Sequence, residues 1–175
     1  MLIEFVGFAA DCTITGKLEL ERERLSDKLN RDAVYAIHDA SLQSLADGRI
    51  VTVGRLTLDR HDLLAVAAAG PRGPEARRIH TVRHRLQAQL GSYTVLGHLH
   101  VMPGAAPLHS VDPRRRMVPL TNATIAYVRA GAVEMHDIEA LIVNGERASW
   151  VREPGDDRTA GLSPGDAPAV QPDFH

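Results

Sequence analysis

The chain has few of the residues that mark several classes of protein. It contains one cysteine, Cys12, and so cannot form an intramolecular disulfide framework. Aromatic residues make up only 4% of the composition, so a core must be built from Val, Leu, Ile and Ala. No apolar run approaches the roughly 20 residues needed to cross a bilayer, and Glu4 interrupts the N-terminal segment where a secretion signal needs an unbroken apolar stretch. We therefore expect a cytoplasmic protein that does not enter the membrane.

What the chain does have is an internal repeat. Three pairs of segments match in the same order: Asp11–Gly16 (DCTITG) with Ser92–Gly97 (SYTVLG), Val34–Leu42 (VYAIHDASL) with Met117–Ile125 (MVPLTNATI), and Leu56–Val66 (LTLDRHDLLAV) with Gly131–Leu141 (GAVEMHDIEAL). The third match places His61-Asp62 on His136-Asp137. We interpret the repeat as the duplication of one structural unit.

Each copy has the pattern of β-strands. In the second copy, apolar residues at 82, 86, 88 and 90 alternate with polar residues, and Gly91-Ser92 then interrupts the run as a hairpin turn would. The predicted fold class is all-β, with two tandem small, five-stranded, strongly bent β-barrels. The predicted first barrel covers residues 1–68, a Pro/Gly-rich linker 69–75, and the second barrel 76–151. Residues 152–175, which are acidic and rich in Pro and Gly, are predicted to be a disordered tail.

Short motifs in both copies resemble a known family. Arg24–Asn30 (RLSDKLN) followed by Val34–Leu42 resembles the "RLSD-x-LN … F-x-x-L-x-D-A" signature of an uncharacterised bacterial family of small β-barrel domains. Pro119–Ala123 (PLTNA) is similar to that family's "PLTDA", whereas Leu108–Val111 departs from its Ser-Asp-x-Leu-Asn core. The resemblance implies a tandem pair of such domains, and it implies no particular activity.

The order of the predicted strands is also similar to that of Sm-like barrels, which bind RNA at a turn that carries an Arg-Gly pair and an Asn. The corresponding places here are Arg60–Asp62 and Met135–Asp137, and neither contains the glycine. This departure argues against RNA binding at these turns. We interpret the paired positions His61, Asp62, His136 and Asp137 as structural turn residues, because Asp accepts backbone N–H bonds in tight turns.

Charge is shared unevenly along the chain. Residues 1–68 hold 8 Lys/Arg and 11 Asp/Glu, a net −3, whereas residues 76–152 hold 10 Arg and 5 Asp/Glu, a net +5. Strand alternation predicts that four basic residues of the second copy share one face, with three arginines on a loop nearby: Arg83, Arg85, His98, His100, Arg114, Arg115 and Arg116. This face could bind an anionic partner, and the alternative is a solvated surface.

No catalytic signature is present in the sequence. We find no nucleophile elbow, phosphate-binding Gly loop or zinc motif, and of the nine histidines only His98 and His100 align, which leaves a metal site without a third ligand. We therefore expect no enzyme activity, no cofactor and no metal. The leading hypothesis is a binding or assembly module for a protein partner or a second copy of itself. RNA binding by the basic face and small-ligand or metal binding are the alternatives.

Overall fold

The computed structural model describes residues 1–68, 80–107 and 116–152. The described residues form ten strands and one short helix. The strands are β1 (Leu2–Ala9), β2 (Cys12–Glu19), β3 (Val34–Ser44), β4 (Ile50–Asp59), β5 (Leu63–Ala67), β6 (Val82–Leu90), β7 (Tyr93–Val101), β8 (Met117–Arg129), β9 (Ala132–Asn144) and β10 (Ser149–Arg152). Helix α1 (Leu25–Arg31) lies between β2 and β3, and a 3₁₀ turn at Arg60–Asp62 joins β4 to β5. The all-β prediction is confirmed.

The ten strands form one open antiparallel sheet in the order β10-β6-β7-β8-β9-β5-β1-β2-β3-β4. We call residues 1–68 the first half and the described residues from 80 to 152 the second half. Within the first half the order is β5-β1-β2-β3-β4, and within the second it is β10-β6-β7-β8-β9. The two halves therefore have the same strand order.

The prediction of two closed barrels is wrong. Closing the first unit would require β4 to pair with β5, and closing the second would require β9 to pair with β10. Instead, β5 and β9 pair with each other and connect the halves into one sheet. Each of these strands has two edges, and the second edge of both is occupied by this contact.

Both halves contain the same irregularity in their second and third strands. The register between β2 and β3 shifts after Thr15, and the register between β7 and β8 shifts after Leu96. A side chain at Gly16 would be only 2.8 Å from the carbonyl oxygen of His38, so a glycine is required there. Asp39 and Asn122 both have positive φ (48° and 46°), which Asp and Asn tolerate better than most residues.

The buried side chains form two clusters, and each is centred on one half. The first-half cluster contains Phe5, Leu18 and Tyr35 among others, and the second-half cluster contains Leu86 and Tyr93 among others. Alternation along β6 matches the prediction at Leu86, Ala88 and Leu90, which are buried while the residues between them are more exposed, whereas Val82 is 37% exposed.

Helix α1 replaces part of the irregular stretch that the sequence predicts after β2. Leu25 and Leu29 are buried beneath it, so the two leucines of the RLSDKLN motif anchor the helix to the core. The predicted linker at 69–75 lies outside the described residues. So does the predicted tail, except for Arg152, which is the last residue of β10.

Candidate functional site

The contact between β5 and β9 is the junction that joins the two halves. Its ladder pairs Ala65 with Val143, Val66 with Ile142 and Ala67 with Leu141, and continues where the Ala68 N–H donates to the Ala140 carbonyl oxygen at 2.8 Å. Leu63 to Val66 are all buried, so both faces of β5 are covered. A strand that is buried on both faces is apolar along its whole length, as this one is.

Each half inserts side chains into the other half's core at this junction. Met117 and Ile142 of the second half belong to the first-half cluster. Phe8, Leu45 and Leu64 of the first half belong to the second-half cluster. Phe8 packs edge-on against Tyr93, with ring centroids 5.6 Å apart. The halves are therefore joined by packed apolar surface as well as by the ladder.

Two asparagines connect the halves through buried or part-buried hydrogen bonds. The Asn144 side-chain amide donates to the carbonyl oxygens of Leu63 (2.9 Å) and Arg60 (3.3 Å), and its side-chain oxygen accepts from the Glu146 N–H (3.2 Å). The Asn30 side chain donates to the Met117 carbonyl oxygen (2.9 Å) and accepts from the Met117 N–H (3.0 Å). The final Asn of the RLSDKLN motif thus bridges the halves.

The end of the β8–β9 hairpin also contacts the first half. The Ala130 N–H donates to the Leu45 carbonyl oxygen at 2.8 Å, and the Arg129 guanidinium donates to the Thr13 hydroxyl at 3.2 Å. Arg129 also lies over the Tyr127 ring and donates to its hydroxyl. Burial is the main cause that raises the pKa of Tyr127 to about 12. A tyrosine held neutral in this way acts as a structural contact.

Strand β4 forms one edge of the sheet, and no described strand pairs with its outer side. It is ten residues long, and its only charged residues are Arg55 and Asp59. Ile50 and Val51 are 63% and 60% exposed. Edge strands in soluble proteins are usually short, bulged or protected by charge, because an unpaired edge is a template for another strand. β4 has none of these protections over most of its length.

Strand β10 forms the opposite edge of the described sheet. It pairs with β6 through Ser149↔Gln89, Trp150↔Ala88, Val151↔Gln87 and Arg152↔Leu86. Trp150 packs partly against the second-half cluster. This edge is short, and in strand order it takes the place that β5 takes in the first half.

The predicted basic face is assembled by β6 and β7. Arg83 lies opposite His100 and Arg85 lies opposite His98, so all four side chains are on one face. The His100 ring contacts the hydroxyls of Thr121 (2.7 Å) and Thr81 (3.2 Å). Burial, with the nearby charges of Arg83 and His98, lowers the pKa of His100. The structure therefore brings these four residues together.

The three loop arginines are only partly described. Arg114 and Arg115 lie outside the described residues. Arg116 is paired with Glu146, with 3.0 Å between the guanidinium Nε and the carboxylate. Its charge is thus partly neutralised.

The predicted equivalence of His61-Asp62 with His136-Asp137 is wrong. His61 and Asp62 lie in the 3₁₀ turn after β4, where the Asp59 carboxylate accepts from the His61 N–H at 2.8 Å. His136 and Asp137 lie in the middle of β9 and not in a turn.

The registers show which residues are equivalent instead. Val34 pairs with Asp59 in the first half, and Met117 pairs with Asn144 in the second. Asp59 therefore corresponds to Asn144, and His61 corresponds to Glu146. The hydrogen bonds agree, because the Glu146 N–H donates to the Asn144 side chain as the His61 N–H donates to Asp59. The sequence match was displaced by ten residues. An even displacement keeps the alternation of faces, so the apolar pattern still matched.

Cys12 is poorly suited to act as a nucleophile, and the described histidines belong to no metal-binding cluster. Burial and the neighbouring Asp11 raise the pKa of the Cys12 thiol to about 11, which disfavours the nucleophilic thiolate. Across residues 1–68, 80–107 and 116–152, no three His, Cys, Asp or Glu side chains are grouped closely enough to hold a metal ion.

No helix in the described part of the chain has the length and apolar character needed to span a membrane. No protein-family profile, curated protein or solved structure matches this chain.

Proposed function

We propose that this chain is a non-catalytic assembly module that self-associates through the edges of its sheet. The observation that carries the proposal is the outer side of β4, a ten-residue edge in which seven residues are apolar or β-branched and only Arg55 and Asp59 are charged. A strand added to such an edge gains main-chain hydrogen bonds and covers exposed apolar side chains. The exposed Ile50 and Val51 are the side chains that an added strand and the surface around it would cover.

The proposal includes an origin for the fold, in which one small β unit was duplicated. The common strand order and the matching register shifts after Thr15 and Leu96 support the duplication of one small β unit, of the kind that the RLSDKLN motif suggests. A unit that already joins its own duplicate by edge pairing has the geometry needed to join further copies.

A lysine on the exposed edge tests the proposal. Thr57 is exposed on β4, and Thr57→Lys would place a charge where a partner strand would lie. The matched control is Thr15→Lys, because Thr15 is also exposed but lies on β2, which is paired on both sides. Light scattering after size exclusion, over a range of protein and salt concentrations, should show association for wild type and Thr15→Lys and its loss for Thr57→Lys. A wild-type protein that is monomeric under every condition would exclude self-association.

A second candidate function is RNA binding by the basic face. It is favoured by the cross-strand pairs Arg83↔His100 and Arg85↔His98, which place two arginines and two histidines on one surface. Binding to phosphates should weaken linearly with the logarithm of salt concentration. Fluorescence anisotropy with mixed-sequence RNA should then show salt-sensitive binding that is lost in Arg83→Glu/Arg85→Glu. Absence of binding at low salt would remove this candidate.

A further inference from the structure

We infer that β4 of one molecule pairs antiparallel with β10 of a second copy, in the register that β9 and β5 have within the chain. The inference rests on the proposed self-association and specifies its two surfaces. The internal junction is the template, because it already joins a fourth strand to a fifth strand of the repeated unit.

The residue correspondence follows from the registers of the two halves. In the first half Ser41 lies opposite Thr52, and in the second half Thr124 lies opposite Asp137. The same offset places Thr57 of β4 where Ile142 lies in β9.

The fifth strands correspond in the same way. Val6 lies opposite Ala67 in the first half, and Gln87 lies opposite Val151 in the second. Trp150 of β10 therefore has the place of Val66 in β5. Transferred to two molecules, the internal pair Val66↔Ile142 becomes Trp150↔Thr57, and Ala67↔Leu141 becomes Val151↔Leu56.

The backbone of β4 offers the hydrogen-bonding groups that this register needs. At the internal junction Ala68 bonds to Ala140, so alternation directs the backbone groups of Ala140 and Ile142 toward β5. In the first half the Arg60 N–H bonds to the Ala33 carbonyl oxygen, so Leu58 and Leu56 bond toward β3. Alternation then directs the N–H and carbonyl groups of Arg55 and Thr57 to the open side of β4. These two residues are the counterparts of Ala140 and Ile142, whose backbone groups bond to β5 in the internal junction.

Matching positions differ in burial between the internal junction and the outer edge at β4. Met117 and Ile142 are 0% and 2% exposed at the internal junction. Their counterparts Val34 and Thr57 are exposed, Val34 by 53%. A second copy seated on β4 would cover both.

Charge is complementary in this arrangement. Pairing β4 with β10 of the next copy brings the first half, with a net −3, against a second half whose described residues hold six Arg and four Asp/Glu, a net +2. A β4–β4 contact would instead bring two acidic halves together. The head-to-tail contact is heterologous, so it propagates from copy to copy until it closes into a ring or extends as a filament.

The contact between molecules should be weaker than the internal junction. At the contact between molecules, Gln89 stands where Phe8 stands at the internal junction, so one buried aromatic side chain is lost. Asp59 stands where Asn144 stands, so the two hydrogen bonds donated by the Asn144 amide are lost as well. We therefore expect association that depends on protein concentration.

Disulfide trapping tests the register. In a Cys12→Ser background, one variant carries Leu56→Cys and another carries Val151→Cys. The proposed Val151↔Leu56 pair is a non-hydrogen-bonded pair, with Cα atoms about 4.5 Å apart, which is within the range that a disulfide spans. A mixture of the two variants under a mild oxidant should form a cross-linked dimer on a non-reducing gel, and neither variant alone should do so. The matched control replaces Leu56→Cys by Thr57→Cys, whose side chain lies on the other face.

The outcomes separate this inference from the proposed function. Cross-linking of Leu56→Cys alone would show a two-fold β4–β4 contact and overturn the inference. Oligomers seen by light scattering that give no cross-link in the mixture would also overturn it, while leaving self-association intact. Absence of oligomers for the wild type would overturn the proposed function itself. Thr57→Ile, which copies Ile142, should lower the protein concentration at which oligomers form, and no change in that concentration would count against the register.

Discussion

At the internal junction Ile142 and Met117 are buried against the first half, whereas Thr57 and Val34, which hold the same places in the first half, are exposed. The strand order around both pairs is the same. What differs is the neighbour, since β9 has β5 beside it and no described strand lies outside β4. One of the two pairs also differs in polarity, because Ile142 is apolar and its open counterpart Thr57 is polar, whereas Met117 and Val34 are both apolar. The presence of a neighbouring strand thus decides whether these matching positions are buried.

The largest expected effect on stability comes from truncating the side chains at the matching positions Ile142 and Thr57. Ile142→Ala should lower the free energy of unfolding by about 2–5 kcal/mol, because it leaves a cavity in a packed core. Thr57→Ala should change it by no more than about 0.5 kcal/mol at low protein concentration, since an exposed side chain loses little. Urea unfolding followed by circular dichroism measures both. Equal effects in the two variants would contradict the distinction between a filled junction and an open edge.

A smaller loss of stability is expected from replacing the polar residues Asp59 and Asn144, which lie at the ends of β4 and β9. Asn144→Ala should cost about 1–3 kcal/mol, because it leaves the carbonyl oxygens of Arg60 and Leu63 without their donor in a buried place. Asp59→Ala should cost only about 0.5–1 kcal/mol, because Asp59 caps its own turn and does not bridge the halves.

Asn144→Asp separates capping from bridging. It keeps an oxygen to accept the Glu146 N–H but directs an oxygen at two carbonyl groups, so it should destabilise at least as much as Asn144→Ala. If Asn144→Asp unfolds like wild type, Asn144 acts only as a turn residue and the halves do not depend on it.

The sequence was sufficient to predict the strands whose two faces differ. Alternation along β6 and β7 predicts which residues are buried and places Arg83, Arg85, His98 and His100 on one face. Alternation fails where a strand is buried on both faces, as β5 is, and says nothing about which strands become neighbours. The pairing of β5 with β9 joins residues far apart in the chain, so no local pattern encodes it.

The edge strand β4 was missed for a related reason. The matched segments of the repeat leave out residues 43–55 and so leave out Ile50–Val53, although a run of β-branched residues is a strand signal. In the structure, residues 45–49 form the hairpin loop and β4 begins at Ile50. Asn144 and Asn30 could not be recognised, because an asparagine that bridges two halves looks like any polar residue at the end of an element.

The smallest expected effect is on the pH dependence of stability, and it arises from His100 on the basic face of the second half. The pKa of His100 is lowered from its ordinary value of 6.5 by burial and by the charges of Arg83 and His98. The unfolded chain therefore takes up this proton more readily than the folded protein, so stability present above pH 6.5 declines as the pH falls below it. His100→Gln should reduce the loss of stability between pH 7.5 and about pH 5, measured as the shift of the urea midpoint. Arg83→Gln should reduce it partly, because the ring keeps its burial but loses the charge of Arg83. If both variants lose stability with acid as steeply as wild type, the pH response originates elsewhere and the basic face does not contribute to it.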